Sequence, residues 1–107
     1  MSPGERYLAD VRRLPCEICV RLSGLLAEAW NCVVSQAHHP RTGVGAGRKA
    51  SDMDAIALCY EHHQGNDGIH GLGRKLFERR YGVTERELTE STRVRVAALR
   101  GERVAGW

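Results

Sequence analysis

The stretch AHHPRTGVGAGRKASDMDAIALCYEHHQGNDGIHGLGR, residues 37–74, holds all five histidines of the 107-residue chain: His38, His39, His62, His63 and His70. Each has another residue of metal-ligand type close by in sequence, so metal binding is the first expectation and the chemistry served by the metal is the second. Chain length agrees. One domain of this size buries too little apolar surface to be more than marginally stable, and a bound ion is one way to staple it. The chain is 42% hydrophobic but only 6% aromatic, a globular balance that is lean in bulky core residues.

The cysteines sharpen this reading. They stand at Cys16, Cys19, Cys32 and Cys59. No apolar run approaches the roughly 20 residues of a membrane span, and nothing has the layout of a signal peptide. A cytoplasmic protein with no membrane partner is therefore expected. In a reducing compartment a Cys-x2-Cys pair favours zinc or redox chemistry over a disulfide framework. Cys16-x2-Cys19 and Cys59-x2-His62 are two such pairs, and together they predict a structural zinc knuckle of the Cys3His type. Cys32 is expected to pack in a strand as a small hydrophobe. Thioredoxin-like redox use of Cys16 and Cys19 is the rival, but no βαβ pattern surrounds the pair.

Tyr7, Leu8, Val11 and Leu14 recur at helical spacing, which predicts an N-terminal helix over about residues 4–14, stopped by Pro15. The segment Cys16–Cys19 is then expected to be a tight turn. Residues 21–30 fit either a short helix opened by Ser23 or a loop. The β-branched run beginning at Cys32 predicts a strand over 32–37, ending at His38-His39-Pro40. A glycine-rich basic loop and a second strand over Met53–Leu58 follow. The run HGLGRKLFERRYG predicts a helix with Leu72, Leu76, Phe77 and Tyr81 on one side, ended by Gly82. Thr84-Glu85-Arg86-Glu87 matches a capping box and opens a C-terminal helix over about 84–100, with Leu88, Thr92, Val96 and Leu99 as its buried seam.

With His62 assigned to the zinc, His38, His39, His63 and His70 remain, although spacing alone lets His62 and His63 exchange roles. Phosphodiester hydrolysis needs a Lewis acid for the charge on phosphorus and the leaving oxygen, and a base to activate water on the opposite side. A His-His pair on an extended strand suits both needs. Its two side chains point to opposite faces, one towards a metal and the other towards the water.

The order Cys-x2-Cys, strand, His-His-Pro, glycine-rich loop, acidic residues, Leu-Cys-x2-His-His and a final His resembles the ββα-metal (HNH) endonucleases. More narrowly, LPCEIC, AHHPRTGVGAGRKASD, ALCYEHHQG and IHGLGRKLFERRYGV resemble the phage Ref-type RecA-dependent nucleases and their prophage relatives, over about residues 7–83. The resemblance implies an α+β fold in one domain, residues 1–107. A small ββα-metal core with its zinc knuckle would span about 15–82, flanked by an N-terminal helix and C-terminal helices. It implies a catalytic divalent ion, Mg2+, Mn2+, Ni2+ or Zn2+, held by His38, His63 and His70, with His39 as general base. An all-imidazole set favours the transition metals. Asp52 or Asp54 stands where the motif has its middle asparagine, and either carboxylate would hold His39 in its working tautomer. Six residues separate His63 from His70, more than in colicin-type relatives, and their two glycines read as a looped insertion.

DNA is the expected partner. Arg41, Arg48 and Lys49 in the loop, and Arg74 and Lys75 on the helix, would neutralise phosphates without reading bases, within a net charge of +3. Arg79 and Arg80 are weaker candidates, because Glu78 offsets them. A RecA filament is the further partner that the resemblance implies, while the short lead-in to the first helix points to a stand-alone core from a phage or prophage. The alternative function is a non-catalytic zinc-knuckle module that binds nucleic acid, which leaves His38, His39, His63 and His70 idle.

Overall fold

The computed structural model describes residues 1–23, 35–41 and 51–101. The N-terminal spacing is realised in helix α1 (Pro3–Arg12), where Tyr7 and Val11 are buried. Its start is well specified: Ser2 accepts a hydrogen bond from the Glu5 amide at 3.1 Å, and Pro3 sits where a helix can spare an amide donor. The helix stops before Pro15 is reached, as the amides of Arg13 and Leu14 turn back to the carbonyls of Asp10 and Val11.

Helix α2 (Glu17–Ser23) begins directly after Cys16, and the amide of Val20 donates to the Cys16 carbonyl. Cys16 therefore immediately precedes a helix and Cys19 lies on its first turn, in place of the tight turn expected from the sequence. Their three-residue separation brings the two thiols to one face. Glu17, between them, is fully buried; Ser91 donates to its Oε1 at 2.7 Å and the Arg95 guanidinium lies 3.0 Å from its Oε2. The expected strand residues 32–34, the helix-or-loop segment 24–30 and the loop bearing Arg48 and Lys49 lie outside the described residues.

Strands β1 (Ser35–His38) and β2 (Ile56–Cys59) pair antiparallel, with Ser35 opposite Cys59 and His38 opposite Ile56. The second strand starts later than expected. Asp52–Asp54 form a single 3-10 turn, because the Ser51 hydroxyl accepts from the Met53 amide and the Ala55 amide donates to the Asp52 carbonyl. Short polar side chains offer the backbone such local partners in place of a ladder.

Strand β2 is buried on both faces, and two apolar clusters flank it. Ile56 and Leu58 pack with Ile18, Phe77, Val83 and Leu88, whereas Ala55 and Ala57 pack with Tyr7, Val11, Leu14 and Val96. Each large side chain buried in this way contributes on the order of 1.5–3 kcal/mol.

After β2 come α3 (Tyr60–His63), α4 (Ile69–Leu72), α5 (Arg74–Tyr81) and α6 (Glu85–Leu99). The helix expected over HGLGRKLFERRYG is thus two helices. Gly73, at φ 84°, breaks it, and Leu76 faces solvent while Phe77 is buried. Gly82 closes α5 in the left-handed conformation, as glycine at that position commonly does. The capping box of α6 forms, with Thr84 and Glu87 bonded reciprocally at 3.1 Å. Leu88, Thr92 and Val96 are buried along α6, but Leu99, expected among them, is exposed. The result is an α+β arrangement of one two-stranded antiparallel sheet and several helices among the described residues.

The loop between α3 and α4 is not a protruding insertion. It folds back on α3 so closely that a Cβ on Gly68 would lie 2.7 Å from the Glu61 carbonyl oxygen and the His62 carbonyl carbon. Both neighbours are backbone, so a side chain there forces the loop outwards. Gly68→Ala should therefore lower stability by about 1–3 kcal/mol in urea unfolding. A wild-type midpoint in that variant would show that the close approach is not needed.

Candidate metal centres

The β2–α3 junction carries ligand-type side chains for two separate clusters. In the first, the Nδ1 of His62 lies 3.6 Å from Cys16 Sγ, 3.5 Å from Cys19 Sγ and 3.3 Å from Cys59 Sγ, and the sulfurs of Cys19 and Cys59 are 3.9 Å apart. A tetrahedron of thiolate and imidazole ligands around a small divalent ion has edges of roughly 3.5–3.8 Å. The four side chains could therefore hold a metal ion. A disulfide would need sulfurs at about 2.05 Å.

Burial sets the electrostatics of this cluster. Burial pushes the Cys16 thiol up to about 11, so its thiolate requires a cation beside it. That shift is opposite to the one a reactive redox cysteine needs. Burial also pulls His62 down against the opposing charges of Glu61 and Asp67, which keeps its imidazole neutral and able to coordinate.

The second cluster is His38, His63 and His70, each offering one nitrogen, all within 4.8 Å of one another. His38 comes from the end of β1, His63 from α3 and His70 from α4. The Nε2 atoms of His63 and His70 face each other at 3.1 Å. Two nitrogens bound to one ion at about 2.0–2.1 Å, at roughly 90–110°, have this separation.

The outer hydrogen bonds fix which nitrogens face inwards. His63 Nδ1 donates to Gln36 Oε1 at 2.6 Å, which leaves its Nε2 lone pair for the cluster. His38 Nε2 donates to Glu85 Oε2 at 2.8 Å, which leaves Nδ1 as its coordinating atom. A metal-binding histidine commonly gives its other N–H to a carboxylate or carbonyl in this way. Burial, then His38 and His70, hold His63 down to about 4. Burial followed by the charge of His38 lowers His70 as well.

His39 follows the end of β1 and takes a different carboxylate from its neighbour. Its Nε2 donates to Asp52 Oδ1 at 2.9 Å, and both groups are partly exposed. An open cavity of about 480 Å³ is lined by His38, His39, Arg41, Asp52, His63 and His70 together. Asp54, the other carboxylate considered for His39, is not brought there. It pairs with Arg93 of α6, and its carbonyl accepts from the Thr89 hydroxyl at 3.2 Å. Of the cations considered for phosphate binding, Arg41 is exposed at the cavity and Lys75 is exposed on α5. Arg74 pairs with Glu78 at 3.2 Å, Arg79 is exposed, and Arg80 pairs with Asp67 at 2.6 Å.

Two residues that support the second cluster were missed from sequence. Gln36 had a usable signal, since it precedes His38 by two and shares its strand face. Glu85 had none that separated it from an ordinary acidic residue at a helix start. It is 1% exposed and His38 3%, Arg41 donates its backbone amide to Glu85 Oε1 at 3.0 Å, and the Glu85 amide donates to Glu78 Oε2 at 2.7 Å.

No family model matches the chain, and comparison with curated proteins and with solved structures returns no match either. No helix among the described residues is long and apolar enough to cross a membrane.

Two outcomes follow from the second cluster. Glu85→Gln should weaken binding of added Zn2+ at His38, His63 and His70 by about 10–100-fold in calorimetry, with the Cys/His cluster still loaded. An unchanged affinity would mean that Glu85 only packs. The second concerns acid. Below 6.5 the unfolded chain takes up a proton at His63 that the folded, metal-free protein refuses until about 4. Stability is full above 6.5 and falls as pH drops towards 4. A His63→Gln variant should lose that part of the slope in denaturant melts.

Proposed function

We propose that the protein is a metal-dependent endonuclease of the ββα-metal (HNH) class, hydrolysing DNA phosphodiester bonds with little sequence specificity. The observation that carries the reading is the shared cavity. A three-imidazole cluster able to hold one ion opens onto the same space as a histidine–carboxylate pair, His39 with Asp52, beside a separate Cys3His cluster. A nucleic-acid-binding knuckle without chemistry has no use for the second cluster or for the pair.

Structural Zn2+ suits Cys16, Cys19, Cys59 and His62, three sulfurs and an imidazole within ligand distance of one another. His38, His63 and His70 would hold the catalytic ion, and a neutral imidazole set suits Zn2+, Ni2+ or Mn2+ better than Mg2+. When bound, that ion supplies positive charge for phosphorus and the departing 3′ oxygen.

The chain's own residues supply the rest. Asp52 accepts from Nε2–H of His39, which leaves Nδ1 of His39 to take a proton from water. The hydroxide so formed attacks phosphorus in line, the bond to the 3′ oxygen breaks, and the departing oxygen takes a proton from solvent water while His39 returns its own to solvent. Arg41 at the cavity rim and Lys75 on α5 offer charge to the phosphates, with Arg74 available on exchange from Glu78. Resemblance to the Ref-type proteins supports a phage or prophage nuclease acting in the bacterial cytoplasm, with a RecA filament as the further partner to test.

The test is plasmid nicking with added Mn2+, Ni2+, Zn2+ or Mg2+. Wild type should nick, and His39→Ala should lose on the order of 10²-fold or more while keeping one zinc that resists dialysis. Equal nicking by the two proteins, or by neither, would sink the reading.

A further inference from the structure

We propose that Gly4, on the first turn of α1, is a positioning residue for His39: its lack of a side chain is what lets Asp52 stand where it orients the imidazole. The inference rests on the reading of His39 as general base.

Local conformation gives no reason for glycine at this position. The described glycines with positive φ are Gly73, Gly82 and Gly101, and Gly4 is not among them. Within a helix alanine is the better residue, because glycine has more backbone freedom to lose. The reason lies across the interface. A Cβ built on Gly4 would stand 2.5 Å from Asp52 Oδ2, 3.1 Å from Asp52 Cβ and 3.2 Å from Asp52 Cγ.

The two oxygens of this one planar carboxylate have different neighbours. Oδ1 accepts from His39, while Oδ2 lies against Gly4. The backbone beneath is held by the 3-10 turn, through the Met53 amide on the Ser51 hydroxyl and the Ala55 amide on the Asp52 carbonyl. The position of α1 is held in turn by buried Tyr7 and Val11. A methyl group at position 4 therefore turns the Asp52 carboxylate about its side-chain bonds, which carries Oδ1 away from His39, while the 3.1 Å contact with Asp52 Cβ is met by a few tenths of an ångström of give between the two turns.

The larger movement costs the fold little, since it falls on the end of a short side chain and the cavity beside it is open. The cost falls on the alignment of His39. A fold role and a positioning role thus predict opposite things for one small substitution.

The experiment compares wild type, Gly4→Ala, Asp52→Ala and the double variant for plasmid nicking, thermal melting and nitrogen-15 NMR of the His39 ring at a pH where it is neutral. Gly4→Ala should lower kcat by on the order of 10–100-fold with KM little changed, because a base misplaced by about 1 Å loses that much. Its melting temperature should be unchanged or raised. The His39 spectrum should change from the Nε2–H tautomer to a mixture, as it should in Asp52→Ala. In the Asp52→Ala background Gly4→Ala should have no further effect, since the group it displaces is gone.

Wild-type kcat and tautomer in Gly4→Ala would overturn the proposal. A lowered melting temperature with the tautomer intact would do so too, as would an equal loss of kcat in both backgrounds. If wild type fails to nick DNA while Gly4→Ala still alters the tautomer, the positioning role stands and the nuclease reading falls.

Discussion

The structure depends on one short junction, where β2 runs into α3. Cys59 ends the strand, and the helical turn that follows places His62 on the sulfur cluster and His63 on the imidazole cluster. Adjacent residues on a helix point about 100° apart, so one turn can serve two centres without sharing a ligand. The strand feeding this junction is buried on both faces. Its position is therefore set by packing on either side, and the ligands inherit that precision.

The flanking helices are tied to the same centre. From α6, Glu85 reaches His38, and Arg95 and Ser91 reach Glu17, the residue after Cys16. Along α1, Gly4 gives Asp52 its room beside His39. The consecutive histidines His38 and His39 are thus each held by a carboxylate, one buried and one near the surface. A buried carboxylate–histidine pair loses little to solvent screening, whereas an exposed one needs steric confinement to keep its geometry.

Much of this was legible in sequence because it is carried by local spacing. Cys16-x2-Cys19 and Cys59-x2-His62 converge on one cluster, and the helical spacing in α1 and most of that in α6 mark buried faces. What was not legible depends on contacts distant in sequence or on competition at one residue. Glu85 meets His38 across 47 positions, and its surroundings in sequence describe only a helix start. Gly73 broke a helix that its apolar neighbours favoured. The glycines after His63 suggested a loose loop, yet Gly68 allows backbone to pass close to backbone, and His70 comes back to His63. Choosing between Asp52 and Asp54 required knowing that Arg93 of α6 takes Asp54.

The two clusters also differ in what they would do to the electrostatic field. A dication among the three sulfurs and His62 would be over-neutralised by thiolate charge, so that cluster turns net negative. The same ion among neutral His38, His63 and His70 keeps its whole charge, tempered by Glu85 behind His38 and Asp52 across the cavity. Loading both would set a negative centre and a positive one on either side of the β2–α3 junction, and a polyanion approaching it would be drawn to the imidazole side.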